Sequence, residues 1–563
     1  MLETDCKVKT DASDFCEAFE IAEPQGEMLQ ISAEDFGLSE TVEDNTAALM
    51  TAMDYCSKHS GVVLNISKGT YNFADNSCDN IISGLKNTVI DGHGALFVFK
   101  DAKNIWLGFM GCQCVKVKNL NVDWDWNCGR LADVVQVQKN DTENNNVYLK
   151  FLEISSASCN MTIRDYNQMS GASFTELIVG TPQNKTFYHH KIGSTDIEKA
   201  ADDVLKISYR EKADSMCEGE YYLIRHYEYG ANAFVLRSCE NFTFEDVNVW
   251  SVPGMAFSVG MNSHHFQLVR CKVTLKPDCT DRHISATVDC LHIGASRGYW
   301  KVKDCVFTHS GDDCINIHDN ISEVFERLNK NTLKLRLGSY EVGDTLSFHT
   351  AGFADLKFSA VIKDIKFISR DCNNSAFYEV RFDREIDEEI LPSCLAFNEK
   401  LDGSHYIISG NVFGRNRARG VLLGCGNGII SDNTFLHTQG SAVMIVSDVF
   451  QSWCEGRGAA YIWICGNRFV DCNASRWAAI LNIAAFNAGK IINAAAFRKI
   501  LVSYNHFTGI NAQVLRIASC RDVKFTNNYF GKINPPDEKL MDIIGNENIS
   551  ISDNYYQEEE VER

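Results

Sequence analysis

The sequence predicts an all-β protein: a right-handed parallel β-helix solenoid with an N-terminal capping helix and β-rich, barrel-like insertions. Three observations lead there. A short apolar strand followed by Asn, one variable residue and an aromatic recurs at Asn411-Val412-Phe413, Asn433-Thr434-Phe435, Asn467-Arg468-Phe469, Asn505-His506-Phe507, Asn528-Tyr529-Phe530 and Asn554-Tyr555-Tyr556. The steps between these asparagines are 22, 34, 38, 23 and 26 residues, one coil for the short steps and a coil plus a loop for the long ones. The repeats also lack the regular Asn-Gly or Asp-Gly turns that an antiparallel sandwich or propeller needs between its strands. Finally, a single capped helix lies near the start, where a solenoid must cover its open end.

Taken in order, residues 1–30 read as an N-terminal extension and 31–127 as the helix cap and first coils. Asp44-Asn45-Thr46 precedes the amphipathic run from Ala47 to Cys56, a helix start signal. Asn119-Leu120-Asn121-Val122 then opens the repeat, and Asp246-Val247-Asn248-Val249 and Asp304-Cys305-Val306-Phe307 continue it. Stacked coils bring like residues about 4.8 Å apart. Asn tolerates the left-handed conformation and can bond its stacked neighbour, so an Asn at each sharp turn is expected. Residues 128–236 and 321–404 break the pattern. Alternation such as Thr332-Leu333-Lys334-Leu335-Arg336-Leu337 marks half-buried antiparallel strands, so both read as β-rich insertions between coils. Central coils occupy 237–320 and C-terminal coils 405–563.

Composition excludes several function classes. A net charge of −20 and a pI near 5.2 argue against nucleic acid or an anionic membrane as partner. No apolar run is long enough for a membrane span. The 22 cysteines include no CxxC pair, so metal-ligand spacing is absent. Cys239, Cys271, Cys290, Cys305, Cys314 and Cys465 sit in apolar runs and read as reduced core residues. That usage points to a reducing, cytoplasmic location. The start MLETDCKVKT has no apolar leader, and secretion after removal of one stays an alternative.

Two strand-like runs carry the chemistry. Val288-Asp289-Cys290-Leu291-His292-Ile293 is interrupted by a carboxylate and an imidazole. Ser310-Gly311-Asp312-Asp313-Cys314-Ile315-Asn316-Ile317-His318 is interrupted likewise. Asp289 and Asp312 are 23 residues apart, one coil, and should sit one above the other with Asp313 beside them. Clustered acids raise one another's pKa, so one can donate a proton while an ionised neighbour accepts one. Glycosidic bond cleavage needs those two roles. A cation neutralising the cluster, or a plain solvated Gly-Asp-Asp turn, are the competing readings.

These residues resemble the catalytic arrangement of β-helical glycosidases. Polygalacturonases of glycoside hydrolase family 28 carry Asn-Thr-Asp, an Asp-Asp pair one coil later, then Gly-His-Gly and Arg-Ile-Lys. Here Thr287-Val288-Asp289 replaces the first, Gly92-His93-Gly94 lies far upstream, and no Arg-Ile-Lys follows, which weighs against a uronate site. The pattern is more similar to glycoside hydrolase family 110, the inverting exo-acting α-1,3-galactosidases. It includes Asp289-Cys290-Leu291-His292, Gly311-Asp312-Asp313, Arg417-Ala418-Arg419-Gly420 and Trp453-Cys454-Glu455, from about residue 31 to 556.

The resemblance implies a single-displacement glycosidase acting on a galactose-terminated oligosaccharide or glycan, with no cofactor and no metal. Asp312 is then the general acid, and Asp289 with Asp313 holds and deprotonates the water, although acid and base can be exchanged among the three. His292, His318, Arg419, Trp453 and Glu455 are the candidate substrate-binding residues. His309 is a rim candidate, and Trp124 and Trp126 are weaker ones near the groove. A pectin-type glycosidase, a polysaccharide lyase and a non-catalytic binding solenoid remain the alternatives. Dimerisation through the insertions or a β-helix face is left open.

Overall fold

The computed structural model describes residues 12–74, 77–152, 173–176, 190–191, 197–208, 217–227, 229–372, 374–450, 453–476, 478–532, 540–545 and 547–557. Residues 1–11 of the expected extension, and much of 153–216 within the first insertion, lie outside the described residues. The fold is a right-handed parallel β-helix. One sheet of 23 strands and a second of 13 run the length of the solenoid. The first follows Trp300–Lys303, Tyr406–Ser409, Gly428–Ser431, Ala459–Cys465, Phe497–Ser503, Cys520–Thr526 and Glu547–Ser552, each parallel to the next. Trp300 pairs with Tyr406 although 106 residues of sequence separate them, so the insertion between leaves the register of the coils intact. One continuous apolar core fills the interior from Ala33 to Phe530.

The Asn-x-aromatic motif builds two ladders. At each step the ladder Asn donates from its backbone N and its Nδ2 to the Oδ1 of the Asn one coil on. The distances run from 2.8 to 3.1 Å for Asn411 to Asn433, Asn433 to Asn467, Asn467 to Asn505, Asn505 to Asn528 and Asn528 to Asn554. Five of these asparagines are buried, so each amide replaces the water it lost with a neighbour. Two residues later Phe435, Phe469, Phe507, Phe530 and Tyr556 stack at 4.7–5.2 Å between centroids. Each such pair contributes about 0.5–1.5 kcal/mol beyond its burial.

One detail departs from expectation. The left-handed conformation falls on the residue before the ladder Asn: Gly410, Asp432, Gly466, Tyr504, Asn527 and Asp553 all have φ between 54° and 71°. The ladder Asn keeps an ordinary backbone because its side chain must point inward to reach the next rung.

Helix Thr46–Lys58 covers the N-terminal end and buries Leu49, Ala52, Met53 and Cys56. Asp44, one residue before the N-cap Asn45, accepts from the Thr46 amide at 3.0 Å through its Oδ1. Asn45 instead turns inward to the backbones of Ser39 and Asn72. Residues 15–25 run along the outside of the first sheet. Phe15 packs against Trp463 with its ring tilted, Glu17 accepts from Tyr299 Oη at 2.8 Å, Lys301 Nζ donates to Phe19 O at 2.8 Å, and Asn241 and Asn87 accept from the Ala22 and Gln25 amides. No periodicity in the sequence pointed to this strap.

The 20 described cysteines are all free. Cys239, Cys271, Cys290, Cys305 and Cys314 are buried as expected, whereas Cys465 is only half-buried because it ends its strand beside the turn. No helix among the described residues is long and apolar enough to cross a membrane.

Two antiparallel units interrupt the coils. Seven strands between Ala132–Asp141 and Tyr221–Arg225 form one sheet. Six strands from Ser322–Asn329 to Leu395–Asn398 close into a barrel with its own core of Val324, Leu333, Leu346, Phe348, Ile362 and Val380. The two chain ends of the barrel are clasped at Asp319, whose carboxylate oxygens both accept from the Gly403 amide at 3.2 Å. Burial, aided by the Asp402 charge, pushes the Asp319 pKa from 3.8 to about 8, against the pull of Arg457 and the Gly403 N–H.

Two predictions follow from these contacts. Replacing Asn467 by Ala removes an acceptor from Asn433 and a donor to Asn505 in the dry interior. It should destabilise the solenoid by about 2–4 kcal/mol, read from the main unfolding transition. Asn554→Ala, at the solvated end of the ladder, should cost clearly less, and equal losses would refute the ladder as a buried network.

The second concerns pH. Between its ordinary and raised pKa, the folded chain holds a proton on Asp319 that the unfolded chain has released. This contribution to stability is therefore complete at low pH and is lost as pH rises from about 4 towards 8. Asp319→Asn should gain melting temperature relative to the parent on going from pH 5 to pH 8. A difference that is constant with pH would show that Asp319 does not titrate there.

Candidate active site

The site is built on three adjacent rungs of the second sheet. Strand Leu291–Gly294 pairs in parallel with Phe257–Gly260 on one side and with Ile315–His318 on the other, which in turn pairs with Val421–Leu423. Leu291, Ile293, Ile315 and Ile317 point into the core. The intervening His292, Asn316, Gly294 and His318 belong to the opposite face. The acids stand just before these strands. The register sets Leu291 against Ile315, 24 residues on, and Cys290 N donates to Asp313 O at 3.0 Å. Asp313, not Asp312, is therefore the rung partner of Asp289. The one-residue difference follows from the coil length that the strand pairing imposes.

The three carboxyls share one site. One oxygen from each of Asp289, Asp312 and Asp313 lies within 4.8 Å of the others. Asp289 Oδ1 accepts from the Asp313 amide at 2.9 Å, and its Oδ2 is 2.8 Å from His292 Nδ1. Asp313 accepts from the Arg419 amide at 2.7 Å and is 2.9 Å from its Nη2. Asp312, whose side chain is 18% exposed against 4% and 1% for the other two, pairs with Arg417 Nη2 at 2.7 Å.

Burial raises the pKa of Asp289, the Asp312 charge adds to it, and the His292 hydrogen bond opposes it. Burial raises Asp313 well above the usual carboxylate range, and its two acidic neighbours outweigh part of the Arg419 pull. Burial works against the His292 charge, but the Asp289 carboxylate more than offsets it and the pKa rises. His318 has no such direct carboxylate partner, and burial lowers it.

The turn that presents Asp312 and Asp313 depends on Gly311. A Cβ there would lie 2.3 Å from Thr287 O and 2.6 Å from Arg225 Nη1. Arg225, buried at the end of the seven-stranded sheet, donates from Nη1 to Thr287 O and to Gly311 O, the latter at 3.1 Å. Arg417 Nε reaches the same Gly311 O at 2.6 Å, and Asn416 Nδ2 donates to Asp312 O at 2.9 Å. Arg225, Asn416 and Arg417 were not singled out in the sequence. Only Arg417 left a signal there, as the alternate partner in Arg417-Ala418-Arg419.

The remaining candidates divide. His292, His318 and Arg419 stand at the acids, with His318 Nε2 3.2 Å from His292 Nε2. Glu455 lies 3.9 Å beyond His318 on the hairpin formed by Val443–Val449 and Cys454–Glu455. Trp453 lies farther out, stacked on Phe450 at 4.7 Å with its Nε1 donating to Asp448 at 2.9 Å. His309 bonds Thr308 in a turn, and burial with the Arg415 charge lowers its pKa to about 4. Trp124 is buried against Trp106, and Trp126 lies under Arg282 and donates to Ser251. These three residues have structural partners. The three acids form a donor set of the kind a divalent cation takes. Here Arg417 and Arg419 already neutralise two of them at salt-bridge distance.

No family model matches the chain. Alpha-1,3-galactosidase A of Bacteroides fragilis (strain YCH46) is 23% identical over 539 residues, covering 88% of this chain and 86% of the relative. Alpha-1,3-galactosidase B of Akkermansia muciniphila is 24% identical over 545 residues, covering 88% of this chain and 66% of the relative. Among solved structures, the exopolygalacturonase of Thermotoga maritima aligns with a TM-score of 0.44 at 11% identity, over 95% of this chain and 94% of its own. Over 88% of its length the chain is a homologue of proteins named alpha-1,3-galactosidase.

Proposed function

We propose that the protein is a glycoside hydrolase that releases terminal α-galactose, α-1,3-linked, from an oligosaccharide or glycan, with inversion at the anomeric carbon. The observation that carries this reading is the group of three carboxyls within 4.8 Å, two buried and one at the surface of the cleft, in a homologue of the alpha-1,3-galactosidases. Burial raises the pKa of Asp289 and Asp313, and Asp312 stands beside a guanidinium, so the three carboxyls have the different electrostatic settings that divide proton donor from acceptor. In this proposal Asp312, the most exposed, protonates the leaving oxygen, and Asp289 with Asp313 orients and deprotonates the water. Arg417 must then give up Asp312 to the substrate.

The ion pair with Arg417 favours a second reading, in which Asp312 is the base and the protonated Asp313 or Asp289 the acid. Most inverting glycosidases separate their carboxyls by about 6.5–9.5 Å and retaining ones by about 5–5.5 Å. In this cluster one oxygen of each acid lies within 4.8 Å of the others, and the stereochemical proposal rests on the family and not on the spacing. The free thiols support a reducing compartment as the site of action.

Asn in place of any of the three acids should lower kcat on α-1,3-galactobiose by about 100-fold or more, with the melting temperature retained. The acid is identified by its leaving-group dependence. Asp312→Asn should keep far more activity on 4-nitrophenyl α-galactoside, whose leaving group needs little protonation, than on the disaccharide. If Asp312→Asn fails equally on both while Asp313→Asn or Asp289→Asn is spared on the aryl substrate, the roles are exchanged. NMR of the first product should show β-galactose. An α anomer would overturn inversion, and an ultraviolet-absorbing product from polygalacturonate would indicate a lyase.

A further inference from the structure

Asp289 is held through both of its oxygens. Oδ1 accepts from the Asp313 amide at 2.9 Å, and Oδ2 lies 2.8 Å from His292 Nδ1. An ionised carboxylate is an acceptor only, so His292 carries a proton on Nδ1 whenever Asp289 is charged. The far nitrogen of His292, Nε2, lies 3.2 Å from His318 Nε2, with the two rings crossed at 76°. Two N–H groups cannot face each other across that gap, so the two Nε2 atoms share one proton. His318 Nε2 is in turn 3.9 Å from Glu455 Oε1. Two carboxylates therefore stand at the ends of a row with two imidazoles between them.

The row spans three elements. His292 lies in strand Leu291–Gly294, His318 ends the parallel strand Ile315–His318, and Glu455 belongs to Cys454–Glu455 of the hairpin. Its outer end meets solvent, since the Glu455 side chain is 34% exposed against 4% for Asp289. The residues paired with His292 on the flanking strands are Ser258 and Asn316, which carry no charge. The other charged groups here are Asp312, paired with Arg417, and Asp313, paired with Arg419. His292 is thus the ionisable partner in contact with Asp289.

The proton count of the row sets its charge. With two protons on the ring nitrogens both imidazoles are neutral, and with three the pair carries one positive charge. Asp289 at one end and Glu455 at the other both favour the third proton. The nearer carboxylate draws the charge to His292, because attraction falls with distance. Burial opposes charge on both rings, and the Asp289 hydrogen bond with the Asp289 and Glu455 charges outweighs it at His292 but not at His318. A cation at His292 in turn opposes what burial does to Asp289, which is to favour its protonated form. Glu455 lies two imidazoles away from Asp289, and its charge acts there through His292.

We propose that Glu455 and His318 act through His292 as positioning residues, which let the buried Asp289 ionise and aim it as the base of the reaction. The assignment rests on the glycosidase reading above and deepens it. Of the two acids assigned to the water, Asp289 is the one that takes its proton. His292, His318 and Glu455 then serve the enzyme's own acid, in place of the sugar contacts expected from the sequence.

The test is the pH dependence of kcat/KM on α-1,3-galactobiose, whose acid limb reports protonation of the base. His292→Asn keeps an N–H donor near the Nδ1 position and loses the charge. The base should then take up its proton at higher pH, so the limb moves up by about one unit, a roughly tenfold loss on the acid side, with a much smaller loss at the optimum. Glu455→Gln and His318→Leu should move the same limb in the same direction, with a loss of about twofold to threefold on the acid side. Glu455→Gln lies on the exposed hairpin, so it carries the test if a buried substitution fails to fold. An acid limb that stays in place, with kcat/KM lowered by one factor at every pH as loss of a sugar contact would do, overturns the proposal. So does a limb that moves in His292→Asn alone, because the influence would then end at the first imidazole. A parent enzyme that releases no galactose at any pH removes the glycosidase reading itself, an outcome distinct from an unmoved limb in active variants.

Discussion

Strand register between successive coils is the constraint on which the rest of this structure depends. In a parallel rung each residue has one partner about 4.8 Å away on either side. A carboxylate at one level is therefore forced onto whatever the next level presents. Cys290 lies against Cys314, so Asp289 lies against Asp313, and Asp312 is carried in beside them by the turn at Gly311. Nothing about the acids favours that meeting. It is imposed by the apolar pairs Leu291 with Ile315 and Ile293 with Ile317, whose burial makes a slip of the register costly.

Such a cluster needs compensation, and the fold supplies it from distant parts of the chain. Arg417 and Arg419 arrive on the next coil, after the whole barrel, because the solenoid resumes its register when the insertion ends. Arg225 comes from the other insertion and holds the backbone carbonyls that shape the acidic turn. Two guanidiniums and the His292 imidazole stand against the three carboxyls. Burial raises the pKa of both Asp289 and Asp313, which favours the protonated form of each.

The insertions are fastened rather than tethered. Asp319 spans the two ends of the barrel through one backbone amide, and the strand pairs on either side of the barrel keep their alignment. A rigid junction of this kind lets a surface element form one wall of a cleft whose floor is the solenoid. The N-terminal strap and the asparagine ladder act on the opposite side, tying many coils to one another, so the sheet bearing the acids is supported along its length.

The solenoid was legible because its signal is local and repeated: an Asn two residues before an aromatic, recurring at coil-sized intervals, has few other physical explanations. The acids Asp289, Asp312 and Asp313 were legible because carboxylates inside apolar runs are costly unless used. Arg225, Asn416 and the strap at 15–25 were not, since each is an ordinary polar residue or a short irregular segment whose partner is fixed only when coils stack. The sequence by itself determined the coil, the capping helix and the residue types of the site. Tertiary structure alone decided which acid faces which, which residue of each turn takes the left-handed conformation, and which arginines balance the charge. Those outcomes depend on side-chain contacts between levels of the helix, and a linear pattern carries no information about the neighbour above or below until the register is set.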